Sequence, residues 1–321
     1  MINIREQAKK LGWLLSTLLI IWFVYLSFTK LSIWHSVDWN YDLLLVLIGS
    51  ILLYCLTTIN GGLVSYYLLR SIGEPKGNAT QLVSIYLIAQ LAKYLPGNVA
   101  HHIGRLVLSE KLRLKRSRVL LSMLIETIWV IGVVVCLTIY YATHNDNDFI
   151  EVSSTQATVI VLVLTGVSIF WGPVIFRHWF NRIGSWFLLR QETEPRVNLK
   201  LPTLPIVTAS LVAYFFNHLI LGAIIYLLGA ILFDLWASDI LTLGSIFAVA
   251  WIVGFFTPGS PAGIGVREFV LLSLLHPIYG PDASLAITMV LRLTTISGDT
   301  VTWLVGYFLW SRSDTKTTTY D

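Results

Sequence analysis

Six apolar segments of about 20 residues or more recur along this chain of 321 residues, and they constrain its fold more than any other feature. A helix needs about 20 apolar residues to cross the hydrocarbon core of a bilayer. Only 12% of the residues are charged, whereas a soluble domain has about 25%. The sequence therefore predicts an all-α polytopic membrane protein with a single membrane domain over residues 1–321. The six segments cover roughly residues 11–29, 43–69, 119–141, 156–176, 205–232 and 285–310.

Two further apolar segments, 80–110 and 240–276, are interrupted near their centres. The first contains Pro96-Gly97 and the second a run from Pro258 to Gly265, and each has an Arg nine residues after its Pro. The arms of about 10–18 residues are typical of re-entrant or short helices. The sequence thus predicts two broken helical hairpins, and either re-entrant hairpins or pairs of short full crossings satisfy the pattern.

The basic residues predict the orientation, because Lys and Arg accumulate on the cytoplasmic side of a membrane. If both interrupted segments return to the side from which they enter, one set of loops collects 17 of the 22 Lys and Arg residues. The opposite loops hold only Lys30. We therefore expect a multi-pass protein of the cell inner (plasma) membrane with both termini in the cytoplasm.

This threading gives the two halves of the chain opposite orientations. The halves cover about 43–141 and 205–310, each with a helix, a broken hairpin and a helix, while helix 11–29 is peripheral and helix 156–176 connects them. The prediction is thus eight membrane segments arranged as an inverted repeat. Apolar segments broken by Gly and Pro at corresponding positions of two halves indicate a transporter's binding site.

The breaks leave helix N-termini facing the interior, where unpaired N–H groups suit an anion such as phosphate. Asn98 can cap a helix that starts at Val99. The second helix can start at Ser260-Pro261, or near Val266 if Gly263 and Gly265 delay it. A Pro kink packed on its neighbours is the alternative for each break.

Charges within membrane segments usually face a cavity or a partner, because they are costly in hydrocarbon. We expect Arg105 and Arg292 to bind an anionic headgroup. Glu126, Glu268 and Asp299 would be counter-charges or contacts to a cationic moiety, and Arg292 and Asp299 share a helix face. Ion pairs that only hold helices together are the alternative. The predicted substrate-binding residues are Pro96, Gly97, Asn98, His101, His102, Arg105, Glu126, Pro258, Gly259, Ser260, Gly263, Gly265, Arg267, Glu268, Arg292 and Asp299.

The sequence shows no Ser-His-Asp order, no phosphate-binding Gly-Lys-Ser/Thr loop and no zinc spacing. We therefore expect no catalytic site, cofactor or metal, although His101 and His102 make a proton-linked step conceivable. The basic cluster Lys111–Arg118 fits contact with anionic lipid headgroups or topology control alone. Nucleic acid is not an expected partner, whereas a second copy of the chain or a lipid or glycan biosynthesis enzyme is.

The run Tyr94-Leu95-Pro96-Gly97 followed by Arg105, the run from Pro258 to Glu268, and Arg292 together resemble the signature regions of the lysylphosphatidylglycerol synthase/flippase transmembrane family. Glu126 is similar to a family Glu that is commonly followed by Arg, but Thr127 follows it here. The resemblance implies a polytopic lipid flippase fold. It does not imply aminoacyl transfer, because we expect no synthase domain in the eleven residues after Trp310.

The leading hypothesis is therefore a flippase for a phosphate-bearing lipid: a phospholipid, an aminoacyl-phospholipid or a polyprenyl-linked glycolipid. The alternative is a non-transporting membrane enzyme or an accessory subunit of a glycolipid or cell-envelope pathway. For that alternative, outer-loop carboxylates such as Asp146 and Asp148 should matter more than the Pro-Gly breaks.

Overall fold

The computed structural model describes residues 40–95, 100–144, 202–236, 239–257 and 263–314, together with residues 17, 18, 21, 22, 25, 28 and 29. Within these residues the protein is all-helical, with no strand. The seven residues of the first predicted span are helical. The seven helices of the continuous ranges are α1 (Tyr41–Ser71), α2 (Ala79–Gln90), α3 (Ala100–Lys111), α4 (Arg116–His144), α5 (Leu204–Phe233), α6 (Ile240–Phe256) and α7 (Val266–Asp314).

Four of the described helices, α1, α4, α5 and α7, are long and apolar enough to cross a membrane. The first three coincide with the predicted spans 43–69, 119–141 and 205–232 to within three residues at each end. Their surfaces remain apolar: Leu44, Ile48, Leu52 and Leu56 recur every fourth residue on α1 and are all exposed. A helix that is apolar on every side is typical of a lipid environment. The predicted helix 156–176 lies outside the described residues.

The two interrupted segments consist of short helices, as predicted. Helix α2 continues into a 3-10 turn, Leu91–Tyr94, and α3 begins at Ala100. In the second segment α6 ends at Phe256 and α7 begins at Val266, the later of the two predicted starts. The breaks themselves lie outside the described residues, and with them

Helix α7 combines the second arm of the interrupted segment with the last predicted span. The two are separated at Gly280, whose φ of 75° and ψ of 173° are not helical. Glycine accepts a positive φ without a steric penalty, and Pro281 suits the first turn of the helix that follows. The last span therefore begins just after Gly280 rather than at residue 285.

The chain divides into two compact units, and both are discontinuous in sequence. Unit 1 comprises 1–58, 89–101 and 216–304, and unit 2 comprises 59–88, 102–215 and 305–321. Apolar side chains such as Ile224, Leu243 and Leu275 are fully buried in unit 1, and Leu68 and Leu87 in unit 2. Each unit contains residues from both predicted halves, and the inverted repeat remains a prediction.

Candidate functional site

Each unit contains its own cluster of buried charged and polar side chains. The unit 2 cluster consists of Ser65 on α1, Tyr86 on α2, Arg105 on α3, and Ser122 and Glu126 on α4. The unit 1 cluster consists of Tyr54 on α1, Lys93 and Tyr94 in the 3-10 turn, and Arg267, Glu268, Arg292 and Asp299 on α7.

In the unit 2 cluster, Arg105 and Glu126 form a two-point ion pair. Arg105 Nη1 donates to Glu126 Oε2 at 2.8 Å, and Nη2 donates to Oε1 at 2.9 Å. The Arg105 Nη2 atom also donates to Ser65 Oγ at 2.6 Å, and Ser122 Oγ donates to Glu126 Oε1 at 2.7 Å. The Arg105 guanidinium carbon lies 5.0 Å from the centre of the Tyr86 ring.

The Arg105–Glu126 pair has no net charge, and its side chains are only 5% and 7% exposed. Two-point Arg–carboxylate pairs with additional hydrogen bonds are among the strongest in proteins. The geometry therefore provides the helix-pinning alternative for this pair. His101 and His102 lie in the first turn of α3, and both are partly buried.

In the unit 1 cluster, Asp299 is completely buried and has three partners. Lys93 Nζ donates to Asp299 Oδ1 at 2.9 Å and lies 2.7 Å from Oδ2. Tyr54 donates to Oδ1 at 3.1 Å, and Tyr94 donates to Oδ2 at 2.6 Å. Gly298 permits this arrangement, because a Cβ atom there would lie 2.4 Å from Tyr54 Cδ1.

The second carboxylate of unit 1, Glu268, lies between two guanidinium groups. Arg292 Nη1 is 3.3 Å and Arg267 Nη2 is 3.7 Å from Glu268 Oε1. The other oxygen accepts the backbone N–H of Gly265 at 2.6 Å. Since α7 begins at Val266, Gly265 is its N-cap residue and Glu268 its third residue, so this bond is one half of a capping box.

Tyr94 connects the two carboxylate groups. Its hydroxyl donates to Asp299, and the Arg292 guanidinium carbon lies 5.4 Å from the centre of its ring. Arg292 and Asp299 therefore contact the same residue, as their spacing on one helix face predicts.

Unit 1 also holds an unsatisfied donor. Arg292 Nη2 is buried and has no hydrogen-bond partner among the described residues. Lys93, Arg267 and Arg292 are three cations against the carboxylates of Glu268 and Asp299, so the charged cluster has a net charge of +1. A buried guanidinium with a free donor and an excess of positive charge suits an anion.

Sequence reasoning did not select three members of these clusters: Lys93, Tyr54 and Ser65. Lys93 gave a signal, because it is a charged residue only three positions before Pro96. No local pattern distinguishes Tyr54 or Ser65, whose roles depend on which helix packs beside α1. Within the described part of the chain, no group of three or more His, Cys, Asp or Glu residues could hold a metal ion.

The sequence matches the family described as the lysylphosphatidylglycerol synthase TM region over residues 11–301. The chain belongs to this family. The family resemblance predicted from the Pro-Gly runs and Arg292 is thereby confirmed. Membership connects this transmembrane region with membrane-lipid function. A comparison with curated proteins found no significant match.

Proposed function

We propose that the protein moves a phosphate-bearing lipid between the two leaflets of the inner membrane, with the headgroup bound at the unit 1 cluster. The observation that carries the proposal is the buried, unpartnered Nη2 atom of Arg292 in a cluster with a net positive charge. Family membership supports a lipid as the ligand. The lipid classes considered are phospholipids, aminoacyl-phospholipids and polyprenyl-linked glycolipids.

The energetics of charge in a membrane support a functional cluster. Ionisable side chains in membrane segments are rare, and they commonly mark substrate pathways. The unit 1 cluster holds five of them, and the carboxylates of Glu268 and Asp299 are both almost fully buried. The unit 2 pair is neutral and has its hydrogen bonds within the protein. The contrast favours unit 1 as the headgroup site and unit 2 as a fixed contact between helices.

A phosphate matches the free chemistry of Arg292. Guanidinium groups bind phosphate oxygens with two parallel hydrogen bonds, which a Lys ammonium cannot do. Arg292 Nη1 faces Glu268, so Nη2 is the atom left to reach an entering anion. Arg267, which is 16% exposed and lies beside the same carboxylate, would supply a second cation.

Leaflet exchange by the purified full chain in phospholipid vesicles tests the proposal. The assay follows the protection of a headgroup-labelled phospholipid from an impermeant quencher. We expect the wild-type protein to accelerate exchange. Since a hydrogen bond to a charged group contributes about 1.5–3 kcal/mol, Arg292→Ala should slow exchange by roughly 10- to 100-fold.

The controls separate loss of the site from loss of the fold. Arg116→Ala removes an exposed Arg whose partner is Glu110, and it should exchange lipid at the wild-type rate. Arg292→Lys keeps the positive charge opposite Glu268 and should fold, yet it should still exchange slowly because it lacks the two-point geometry. The proposal fails if the wild-type protein accelerates no labelled phosphate-bearing lipid. It also fails if both Arg292 variants exchange lipid at the wild-type rate.

A further inference from the structure

The ammonium group of Lys93 occupies a cage of complementary groups in unit 1. Its Nζ atom contacts both oxygens of Asp299, at 2.9 and 2.7 Å, and donates to the Tyr54 hydroxyl at 3.2 Å. It also lies 5.9 Å from the centre of the Tyr54 ring and 5.5 Å from the centre of the Tyr94 ring. Three acceptor atoms and two ring faces thus surround one ammonium group.

These contacts identify the chemistry that the cage recognises. A primary ammonium has three N–H donors, which match the three oxygen atoms around Lys93 Nζ. The rings add cation–π attraction, which any ammonium would share. A trimethylammonium group cannot donate a hydrogen bond, so it would leave Asp299 and the Tyr54 hydroxyl without the donor that Lys93 provides. The cage is therefore selective for a primary ammonium.

The cage adjoins the anion-binding Arg292 through Tyr94. The Tyr94 ring lies within cation–π distance of both Lys93 and Arg292, at 5.5 and 5.4 Å. A buried guanidinium with an unpartnered Nη2 thus lies on the same aromatic side chain as an ammonium cage. A headgroup that carries one phosphate and one primary ammonium has the two charges that these neighbouring sites require.

We infer that Lys93 is a tethered substitute for the primary ammonium of the substrate, which displaces Lys93 from Asp299 when it binds. The inference rests on the proposed function and narrows its ligand to a lipid with a phosphate and a primary ammonium. Asp299 is completely buried, and a buried carboxylate that loses its cation is strongly destabilised. Lys93 therefore leaves only as another ammonium enters, and its side chain, 22% exposed, has access to solvent.

The exchange would act on the interrupted segment. Lys93 and Tyr94 form the end of the 3-10 turn Leu91–Tyr94, and both are held to α7 by Asp299. An ammonium that replaces Lys93 removes one of these two links next to Pro96-Gly97. Binding of the correct headgroup is thus coupled to release of this turn, while a lipid without a primary ammonium leaves the turn attached.

Removal of the tethered ammonium gives a direct test in the purified full chain. In Lys93→Met the cage is empty, so ethylammonium should raise the thermal unfolding temperature of this variant, and tetramethylammonium at equal concentration should not. The variant should bind glycerophosphoethanolamine at least 10-fold more tightly than the wild-type protein does, because the internal competitor is gone. Glycerophosphocholine should bind equally weakly to both.

A second variant keeps the test decisive if Lys93→Met folds poorly. Lys93→Met combined with Asp299→Asn removes both charges of the pair and should fold without ethylammonium. It should bind glycerophosphoethanolamine and glycerophosphocholine with the same affinity. The inference is overturned if this double variant still prefers the ethanolamine compound, or if ethylammonium and tetramethylammonium have equal effects on Lys93→Met.

Leaflet exchange separates failure of this inference from failure of the proposed function. Equal rates for phosphatidylethanolamine and phosphatidylglycerol, both slowed in Arg292→Ala, would overturn the ammonium site and leave lipid transport standing. Faster exchange of phosphatidylethanolamine would support the ammonium site. Absence of exchange for every phospholipid would count against the proposed function, and the binding and unfolding measurements would still decide the role of Lys93.

Discussion

Arg105 on α3 and Glu126 on α4 are joined by two parallel hydrogen bonds of 2.8 and 2.9 Å inside unit 2. In unit 1, Glu268 on the first part of α7 lies 3.3 Å from Arg292 on its second part. In each case the helix after a Pro-Gly break contributes one member of a buried ion pair, and the next long helix contributes the other. The signs are exchanged, because the residue after the break is basic in unit 2 and acidic in unit 1.

We expect either single substitution, Arg105→Ala or Glu126→Ala, to lower the free energy of unfolding by about 3–5 kcal/mol, since each leaves an unpaired buried charge. The double substitution Arg105→Met with Glu126→Leu should cost much less than the two single changes together. Thermal or denaturant unfolding of the purified protein in detergent measures all of these effects.

The exposed pair Arg116–Glu110 is the matched control for this cycle. Its atoms are 2.9 Å apart, similar to the buried pair, but its side chains are 58% and 45% exposed. Exposed pairs of this kind contribute about 0.2–1 kcal/mol. A cycle at Arg105 and Glu126 that gives an equally small coupling would show that burial does not strengthen the unit 2 pair.

The sequence was sufficient to predict the helices but not most of their partners. Runs of apolar residues predicted α1, α4 and α5 closely, because a span of about 20 apolar residues has few alternative structures. Helix phase also placed Arg292 and Asp299 on one face, and both contact Tyr94. These are local properties of the chain.

The ion pairs could not be predicted, because they depend on contacts between distant segments. Lys93 and Asp299 are 206 residues apart in the chain. The sequence identified both as charges within or beside membrane segments, yet nothing in either local pattern selects the other as its partner. Similarly, Gly298 next to Asp299 gives no sign that Tyr54 packs against it. Such relations arise only when the packing of the helices is known.

Three glycines separate backbone strain from close contact. Gly263 has a φ of 70°, and a Cβ atom there would lie 3.1 Å from Gly254 Cα on α6. Gly280 has a φ of 75°, but its Cβ would meet no described atom outside its chain neighbours and its own helix within 4 Å. Gly49 lies inside α1, and its Cβ would likewise meet no described atom beyond its own helix and neighbours.

We therefore expect three different results from Gly→Ala substitutions. Gly280→Ala should destabilise the protein by about 1–2 kcal/mol through its positive φ. Gly263→Ala should cost more than Gly280→Ala, because the contact with Gly254 is added. Gly49→Ala should stabilise the protein by up to about 1 kcal/mol, since alanine is the better helix former. Unfolding temperatures of the three variants in one detergent rank them, and equal costs at Gly263 and Gly280 would exclude a steric contribution from Gly254.

A buried carboxylate also organises the connections of unit 2. Glu74 is 1% exposed, and its two oxygens accept the backbone N–H groups of Lys76 at 3.3 Å and Lys115 at 3.2 Å. Arg118 Nη1 lies 3.6 Å from the same carboxylate. Glu74 thus joins the α1–α2 connection to the basic segment 111–118.

Glu74→Ala should expose segment 111–118 to trypsin, because two backbone donors and Arg118 lose their shared acceptor. Hydrogen bonds to a charged group contribute about 1.5–3 kcal/mol each, so the rate of cleavage should rise by at least about 10-fold. Proteolysis follows the population of the open form, which makes the cleavage rate a suitable measure. Glu110→Ala removes the exposed carboxylate beside Arg116 and serves as the control. Equal rates for the two variants would argue against a clasp at Glu74.

Asp239 provides a pH-dependent prediction at the start of α6. Its Oδ1 accepts the backbone N–H of Thr242 at 2.8 Å, and its Oδ2 accepts the Thr242 hydroxyl at 2.7 Å. Partial burial raises the pKa of Asp239, but these hydrogen bonds together lower the pKa by more, to below its usual value. The cap therefore stabilises the helix fully above the unfolded-state pKa of about 3.9 and loses this effect as the pH falls through the lower folded-state pKa.

Asp239→Ala should accordingly lower the free energy of unfolding by about 1 kcal/mol at neutral pH, as for other helix N-caps. The difference from the wild-type protein should shrink as the pH is lowered below about 4, where the wild-type carboxylate becomes protonated. Unfolding of both proteins at pH 7 and at successively lower pH measures the difference, and Asp239→Asn shows how much of it depends on charge. A difference that stays constant down to pH 2 would mean that the Asp239 carboxylate contributes no pH-dependent stability.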